Sequence, residues 1–142
     1  MSLERFIQAQ EKDGSYDRAL EELRAGRKTG HWIWWIFPQL KGLGTSHNST
    51  YYGLADVAEA RAYLAHPVLG ARYRECLKVV YAHLCKGGVS PLELMGSEID
   101  VLKLRSSLRL FEGIFDGELT AVQAQASAVL AVFEGTAEEA GQ

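Results

Sequence analysis

Apolar residues recur along this chain at the spacing of an α-helix. Tyr16, Ala19, Leu20 and Leu23 follow the i, i+3, i+4, i+7 rule of an amphipathic helix. A longer apolar stripe follows Pro67: Leu69, Tyr73, Cys76, Val80 and Leu84. Alternation with a period of two, which is typical of β-strands, is not convincing in any segment. The pattern predicts an all-α protein with a compact, single-domain, bundle-like fold of about six to eight helices.

Capping residues and helix breakers set the expected boundaries. We expect helices over residues 3–12, 15–25, 29–37, 57–65, 67–86, 99–115 and 119–133, and a short turn of helix at 90–91. Asp56 with Glu59 resembles a capping box, and Pro38 ends the segment before it. The glycine- and serine-rich residues 41–53 are expected to form a loop. The domain is expected to span residues 1–142, with a core over about 3–133 and a frayed tail over 134–142.

Composition narrows the class of protein. The chain has 142 residues, of which 47% are hydrophobic and 23% charged, as expected for one globular domain. No apolar run reaches the roughly 18 residues that a membrane span requires, and the start lacks a signal-peptide core. We therefore expect a cytoplasmic protein without a membrane partner. A net charge of -3 argues against nucleic-acid binding. Such binding would need six basic residues on one face: Arg24, Arg27, Lys28, Lys41, Arg72 and Arg74.

Cysteines and histidines show no spacing typical of a metal site. Cys76 and Cys85 lie in one predicted helix, too far apart for a disulfide, and are interpreted as buried thiols. The four histidines lack an HxxxH pair, and no phosphate-binding loop or nucleophile elbow occurs. We expect no metal and no cofactor.

The segment 99–115 places polar residues within its apolar arc. Seven apolar residues form that arc: Ile99, Leu104, Leu108, Leu110, Phe111, Ile114 and Phe115. Asp100, Lys103 and Ser107 fall inside it, and Asp100 can pair with Lys103 three residues further on. Three charged residues are expected to face solvent: Arg105, Arg109 and Glu112. The inward polar residues either tie structural elements together or line a pocket in which Lys103 holds an anionic group.

All three tryptophans stand in the segment His31–Leu40, HWIWWIFPQL. As a helix it would be apolar on nearly every side, so most of its faces should be buried. His31 would then lie one turn from Trp34 and Trp35. It is either a core histidine bonded to a backbone carbonyl or a catalytic base. The loop 41–53 is likewise either a surface connection or a wrap around a planar, polar ligand.

Five stretches carry the pattern of a known family. They are Y-x-x-A-L-x-E-L-x-x-G-x-K at 16–28, HWIWWIFPQLKGLGTS at 31–46, YGL at 52–54, EARAYLAHPVLGAR at 59–72 and D-x-x-K-L-R-S-S-x-x-L-F at 100–111. In this order they resemble the bacterial domain-of-unknown-function 1810 family (DUF1810). The resemblance implies a mostly α-helical domain and supplies no established reaction. Some members carry a calpastatin label, but nothing in this sequence resembles a calpain-inhibitory repeat. Arg109, where members often have threonine, and the tail after Gly135 depart from the family pattern.

The family motifs contain more polar residues than core packing explains, which favours a shared pocket. We therefore predict a polar, aromatic-lined site for an anionic or nucleotide-like small molecule. The candidate catalytic residues are His31, Asp100 and Lys103. The candidate ligand-binding residues are Lys28, Trp32, Trp35, Gln39, Ser46, Tyr52 and Ser107. In this hypothesis both lysines meet the anion, a tryptophan stacks on a ring, and His31 with Asp100 transfers protons.

Two classes of function fit these residues. An enzyme of this kind would hydrolyse, or transfer at, a nucleotide or ADP-ribose-type glycosidic bond. The alternative is a non-enzymatic interaction or structural module, whose polar motif residues are satisfied within the fold and whose partner meets an exposed apolar patch or a large dimer contact. The sequence leaves open whether the protein is a monomer or a homodimer.

Overall fold

The described part of the chain consists of helices joined by short turns. The structure, a computed structural model, describes residues 2–114 and 120–140, with side chains for 2–114 and 123–134. The helices are α1 (Glu4–Glu11), α2 (Ser15–Arg24), α3 (Ile33–Ile36), α4 (His47–Tyr51), α5 (Val57–Ala65), α6 (Leu69–Tyr81), α7 (Pro91–Met95), α8 (Glu98–Glu112) and α9 (Thr120–Ala140). These residues hold no β-strand. The predicted all-α class is confirmed; α3, α4 and α7 are short helices of about one turn.

Helix α6 is central to the core. It packs against α2, α5 and α9. Its predicted stripe of five apolar residues is buried throughout. Burial raises the pKa of Cys76 to about 12, so that thiol is protonated and inert at neutral pH. Cys85 is half-buried in the π-helical turn Ala82–Lys86 that continues α6, and both cysteines are free.

The prediction of a loop over residues 41–53 was wrong in part, because this segment contains α4. Ser46 starts this helix by accepting a hydrogen bond from the Ser49 amide at 3.1 Å. The Leu54 amide donates to the Gln39 carbonyl at 2.9 Å and closes the base of the loop. Five residues are too few to show an apolar period, so the sequence pattern does not indicate this helix.

The helix predicted over 29–37 is shorter in the structure. Only α3 is helical there, because the backbone amides of Thr29 and Gly30 donate to the side chain of Glu22. His31 therefore precedes the helix instead of lying within it.

The first turn of α8 departs from the predicted apolar arc. Ile99 is 65% exposed, so its predicted inward position was wrong. Asp100 faces Lys28 instead, and the 100° step between neighbouring residues turns Ile99 outward. Arg105 and Glu112, predicted to face solvent, are half-buried, whereas Arg109 is exposed as predicted. Phe115, the last residue of the predicted arc, lies outside the described residues.

Helix α9 is longer than predicted. It runs through Ala140, beyond the expected end at residue 133, while residues 119 and 141–142 lie outside the described part. Its neighbours are α6 and α8. Among the described helices, none combines the length and apolarity that crossing a membrane requires.

The turn between α5 and α6 brings two backbones close together at Gly70. A Cβ atom at this position would lie 2.1 Å from the Leu64 carbonyl oxygen. We expect Gly70→Ala to lower the free energy of unfolding by about 1–3 kcal/mol, since the backbone must shift to relieve the overlap. Urea denaturation of both proteins measures the difference.

The matched control is Gly113→Ala. A Cβ there would meet its nearest atom, the Leu110 carbonyl oxygen, at an ordinary 3.7 Å. This variant should be unchanged or more stable by about 0.4–1 kcal/mol. Equal stability of the two variants would contradict the close approach at Gly70.

Candidate functional site

The segment from Lys28 to Trp32 is anchored to α2 by one carboxylate. Glu22 Oε1 accepts hydrogen bonds from the Thr29 amide at 2.7 Å, the Gly30 amide at 2.8 Å and the Trp32 indole Nε1 at 3.0 Å. Partial burial alone would raise the pKa of Glu22, but these bonds outweigh it and leave the pKa lowered. Glu22 is therefore ionised at neutral pH.

The same segment is anchored to α8 by an ion-pair cluster. Lys28 Nζ lies 2.7 Å from Asp100 Oδ2 and donates to the Gly30 carbonyl at 2.5 Å. Lys103 Nζ lies 3.5 Å from Asp100 Oδ1. The side chains of Lys28, Asp100 and Lys103 are only 5%, 16% and 21% exposed. One carboxylate thus pairs with two ammonium groups in a largely buried place.

Each of these lysines also contacts a tryptophan ring. Lys28 Nζ lies 5.0 Å from the centroid of Trp32, and Lys103 Nζ lies 4.0 Å from that of Trp34. Such cation–π contacts add attraction to a cation that has left water. Both lysines are therefore compensated within the fold.

A cleft of about 240 Å³ opens between α2 and the segment leading into α3. Seven residues line it: Ser15, Arg18, Glu22, Gly30, His31, Trp32 and Trp35. The Trp35 indole Nε1 donates to Ser15 Oγ at 2.8 Å, which fixes the orientation of the ring. Trp35 is half-buried, whereas Trp32 is only 3% exposed. Trp35 therefore offers the larger aromatic surface to this cleft.

A second cleft, of about 420 Å³, adjoins the first along α2. Its lining residues are Arg18, Glu21, Glu22, Ala25, Arg27 and Thr29. Arg18 and Glu22 belong to both clefts. Ser15, Arg18 and Glu22 are spaced i, i+3 and i+7, so one face of α2 forms a continuous wall. We call this pair of clefts the α2 groove.

The predicted site residues fall into separate groups. Lys28, Asp100 and Lys103 form the ion-pair cluster, while His31, Trp32 and Trp35 line the α2 groove. Trp32 connects the groups, because Lys28 contacts its ring. His31 is exposed and Asp100 does not line the groove. The geometry therefore does not favour direct proton transfer between these two residues.

The remaining predicted ligand-binding residues lie elsewhere. Tyr52 packs beside Trp35, with 5.2 Å between ring centroids. Gln39 is buried beside Leu54, and Ser46 caps α4 at the surface. Ser107 is fully buried, and its hydroxyl lies 3.0 Å from that of Tyr73 in the core. None of these four lines the α2 groove.

Eight groove residues were absent from the predicted site, and four of them are charged: Arg18, Glu21, Glu22 and Arg27. A signal was present for Glu22, which is the motif glutamate in the stretch 16–28. Arg18 lies four residues earlier and could have been found from its shared helix face. The backbone amides that orient Glu22 could not be predicted from side-chain types alone.

Two observations bear on the alternative functions. The six basic residues considered for nucleic acid do not form one free face, because Lys28 is buried and Arg24 pairs with Glu75 at 3.2 Å. On α8, Ile99 and Leu102 are 65% and 58% exposed and lie three residues apart on one helix face. The second observation is in line with the interaction-module hypothesis, which stays a prediction.

Comparison with known proteins gives a family without a known activity. A crystal structure of a conserved hypothetical protein from Mycobacterium tuberculosis has 42% identity to this chain, with a TM-score of 0.81. The similarity covers 94% of this chain and 87% of that one. No curated protein matches the chain. The family model described as "Protein of unknown function (DUF1810)" matches residues 1–141. The chain therefore belongs to the DUF1810 family.

Proposed function

We propose that this protein binds a small, planar, anionic ligand of nucleotide type in the α2 groove. The observation that carries the proposal is the position of Trp35. Its half-exposed ring shares a cleft with Arg18, His31 and an ionised carboxylate, Glu22. A fixed aromatic ring beside cationic and acceptor groups is the combination that a nucleotide-like ligand uses.

Trp35 is held in place before any ligand arrives. Its indole donates to Ser15, and its ring packs against Tyr52. Stacking of a base on an aromatic side chain contributes about 1–3 kcal/mol. A ring whose rotamer is already fixed loses little further entropy on binding.

The cationic groups of the groove differ from those expected from the sequence. Arg18 and Arg27 line it, whereas Lys28 and Lys103 are compensated by Asp100. Arg18 can therefore meet an anionic group, and Lys28 supports the groove wall through Gly30 and Trp32.

The geometry supports binding better than turnover. The residues proposed for proton transfer, His31 and Asp100, belong to different groups of side chains. An acid–base pair must reach the same reacting atoms at about 2.6–3.2 Å. A binding role needs only the groove residues that are already together.

Substitution of Trp35 tests the proposal, with adenosine 5′-monophosphate (AMP) as the probe. We expect Trp35→Leu to weaken AMP binding about tenfold or more, because the stacking surface is lost. Trp34→Leu is the matched control, since Trp34 is also half-buried but contacts Lys103 outside the groove. Calorimetric titration measures both affinities.

A measurement on the unaltered protein tests the proposal even if the Trp35→Leu variant misfolds. In an ¹H–¹⁵N NMR spectrum, AMP should shift the indole N–H signal of Trp35 and leave that of Trp34 in place. Equal affinities of the two variants, or an AMP titration that moves no groove signal, would overturn the proposal.

A further inference from the structure

We infer that the ligand of the α2 groove is a ribonucleoside phosphate whose vicinal hydroxyls are held by Glu22 and whose phosphate lies against Arg27. This inference rests on the proposed function and specifies its ligand class. It follows from the order of groups along the groove: Trp35 in the first cleft, Glu22 in the shared wall, and Arg27 in the second cleft.

Glu22 is a fixed hydrogen-bond acceptor in the middle of the groove. Two backbone amides and one indole hold its Oε1 at 2.7–3.0 Å. The Thr29 side chain also hydrogen-bonds this carboxylate. A carboxylate has about four acceptor sites on its two oxygens, so Oε2 keeps the capacity to bind a further donor. An ionised carboxylate cannot donate, and it therefore selects a ligand that brings O–H or N–H groups to this point.

A ribose supplies such donors at the required place. Its two neighbouring hydroxyls can both donate to one carboxylate, which is how an acidic residue holds the ribose in dinucleotide-binding folds. A base stacked on Trp35 leaves the attached sugar between the two clefts, where Glu22 forms the shared wall. A 2′,3′-dideoxyribose, which lacks both hydroxyls, would leave the Glu22 carboxylate without donors from the ligand.

The phosphate must lie away from the carboxylate. Like charges repel, so the part of the groove next to Glu22 disfavours a phosphate. Arg27 lines only the second cleft and is exposed, and Arg18 lines both clefts. Glu21 and Glu22 also line the second cleft, so a phosphate there depends on direct contact with Arg27. A guanidinium group binds phosphate oxygens in pairs, which favours Arg27 as the partner of the anion.

A ligand series on the unaltered protein tests the inference without any substitution. The probes are AMP, 2′,3′-dideoxy-AMP and adenosine, each titrated calorimetrically. We expect removal of the hydroxyls or of the phosphate to weaken binding about tenfold or more, as for the loss of a hydrogen bond to a charged group. Equal affinity for AMP and dideoxy-AMP would overturn the role of Glu22, and equal affinity for AMP and adenosine would overturn the phosphate site.

Two variants assign these preferences to residues. Glu22→Gln keeps an acceptor oxygen for the backbone amides and should reduce the preference for AMP over dideoxy-AMP to less than about threefold. Arg27→Gln should bring the affinity for AMP close to that for adenosine. Asp17→Asn and Lys78→Gln are the charge-matched controls, since both residues are exposed and neither lines the groove. Unchanged preferences in the two groove variants would contradict the inference.

The outcomes separate the inference from the proposed function. If AMP and dideoxy-AMP bind alike, more tightly than adenosine, and both shift the Trp35 signal, the groove binds an anionic nucleotide and only the inference fails. If none of the three binds, the proposed function fails together with the inference.

Discussion

Replacing Arg5 with alanine is expected to lower the free energy of unfolding by about 3–5 kcal/mol. Arg5 is 5% exposed, although it lies near the start of the chain. Its guanidinium pairs with Glu59 of α5 at 2.9 Å. It also donates to the carbonyls of Tyr51 at 2.8 Å and Gly53 at 3.1 Å. One side chain thereby joins α1, the end of α4 and α5.

The size of this effect follows from what the substitution leaves behind. The Glu59 carboxylate, whose side chain is 16% exposed, would lose its cation. The carbonyls of Tyr51 and Gly53 would lose their donor at the end of a short helix, where no intrahelical partner replaces it. Leaving a buried charge and buried acceptors unpaired is more costly than losing the net contribution of the ion pair itself.

The effect should depend on pH in a defined direction. Burial alone would raise the pKa of Glu59, but the bonds from Arg5 and from the Ala55 amide leave that pKa below its ordinary value of 4.5. A group whose pKa is lowered by folding stabilises the native state above its unfolded pKa. That contribution is lost as the pH falls through the folded pKa. Acidification from pH 6 to below 4 should therefore cost the variant less stability than the unaltered protein.

Guanidinium denaturation of Arg5→Ala beside Arg109→Ala measures the effect. Arg109 pairs with Glu134 at 2.9 Å, but both side chains are about half exposed. Exposed pairs contribute about 0–1 kcal/mol, so the control should be close to the unaltered protein. A similar loss in both variants would show that the Arg5 network does not contribute as its burial indicates.

Helical periodicity predicted the fold better than it predicted the site. The stripe from Leu69 to Leu84 was confirmed because burial in a helix repeats every three or four residues. The Asp56 cap was confirmed because its bond to the Glu59 amide is local. Features that depend on residues close in sequence can be found from the sequence alone.

The site depends on contacts between distant segments. Asp100 and Lys103 were paired correctly from their spacing, but the bond from Lys28 to Asp100 joins residues that no periodicity relates. Glu22 was missed because backbone amides orient it. The path of the backbone around a carboxylate cannot be predicted from the pattern of side chains. Arg5 was missed because a charged residue near a terminus normally faces solvent.

The second large effect is expected at Asp100. Replacing it with alanine should lower the free energy of unfolding by about 3–5 kcal/mol, because Lys28 would keep its buried charge without a counter-ion. The Gly30 carbonyl and the Trp32 ring would remain near that ammonium group, but neither carries a full negative charge. Lys28→Met should be milder, since Asp100 would retain Lys103.

The double variant Lys28→Met/Asp100→Ala measures how much of the lost stability comes from the unpaired charge of Lys28. If Asp100→Ala destabilises the protein because Lys28 loses its counter-ion, removing the charge of Lys28 should recover part of the lost stability. The double variant would then be more stable than Asp100→Ala alone, and the two single effects would not add. Urea denaturation gives all four values in the cycle, with the slope m checked for constancy.

Lys103→Met is the control for a less buried member of the same cluster. Lys103 lies 3.5 Å from Asp100 and is 21% exposed, so its loss leaves Asp100 paired with Lys28 and should cost less than the loss of Asp100. Additive effects of Lys28→Met and Asp100→Ala would contradict the ion-pair explanation. Additivity would mean that Asp100 stabilises α8 locally, through its place in the first helical turn, and that the support of the groove wall through Lys28 is independent of it.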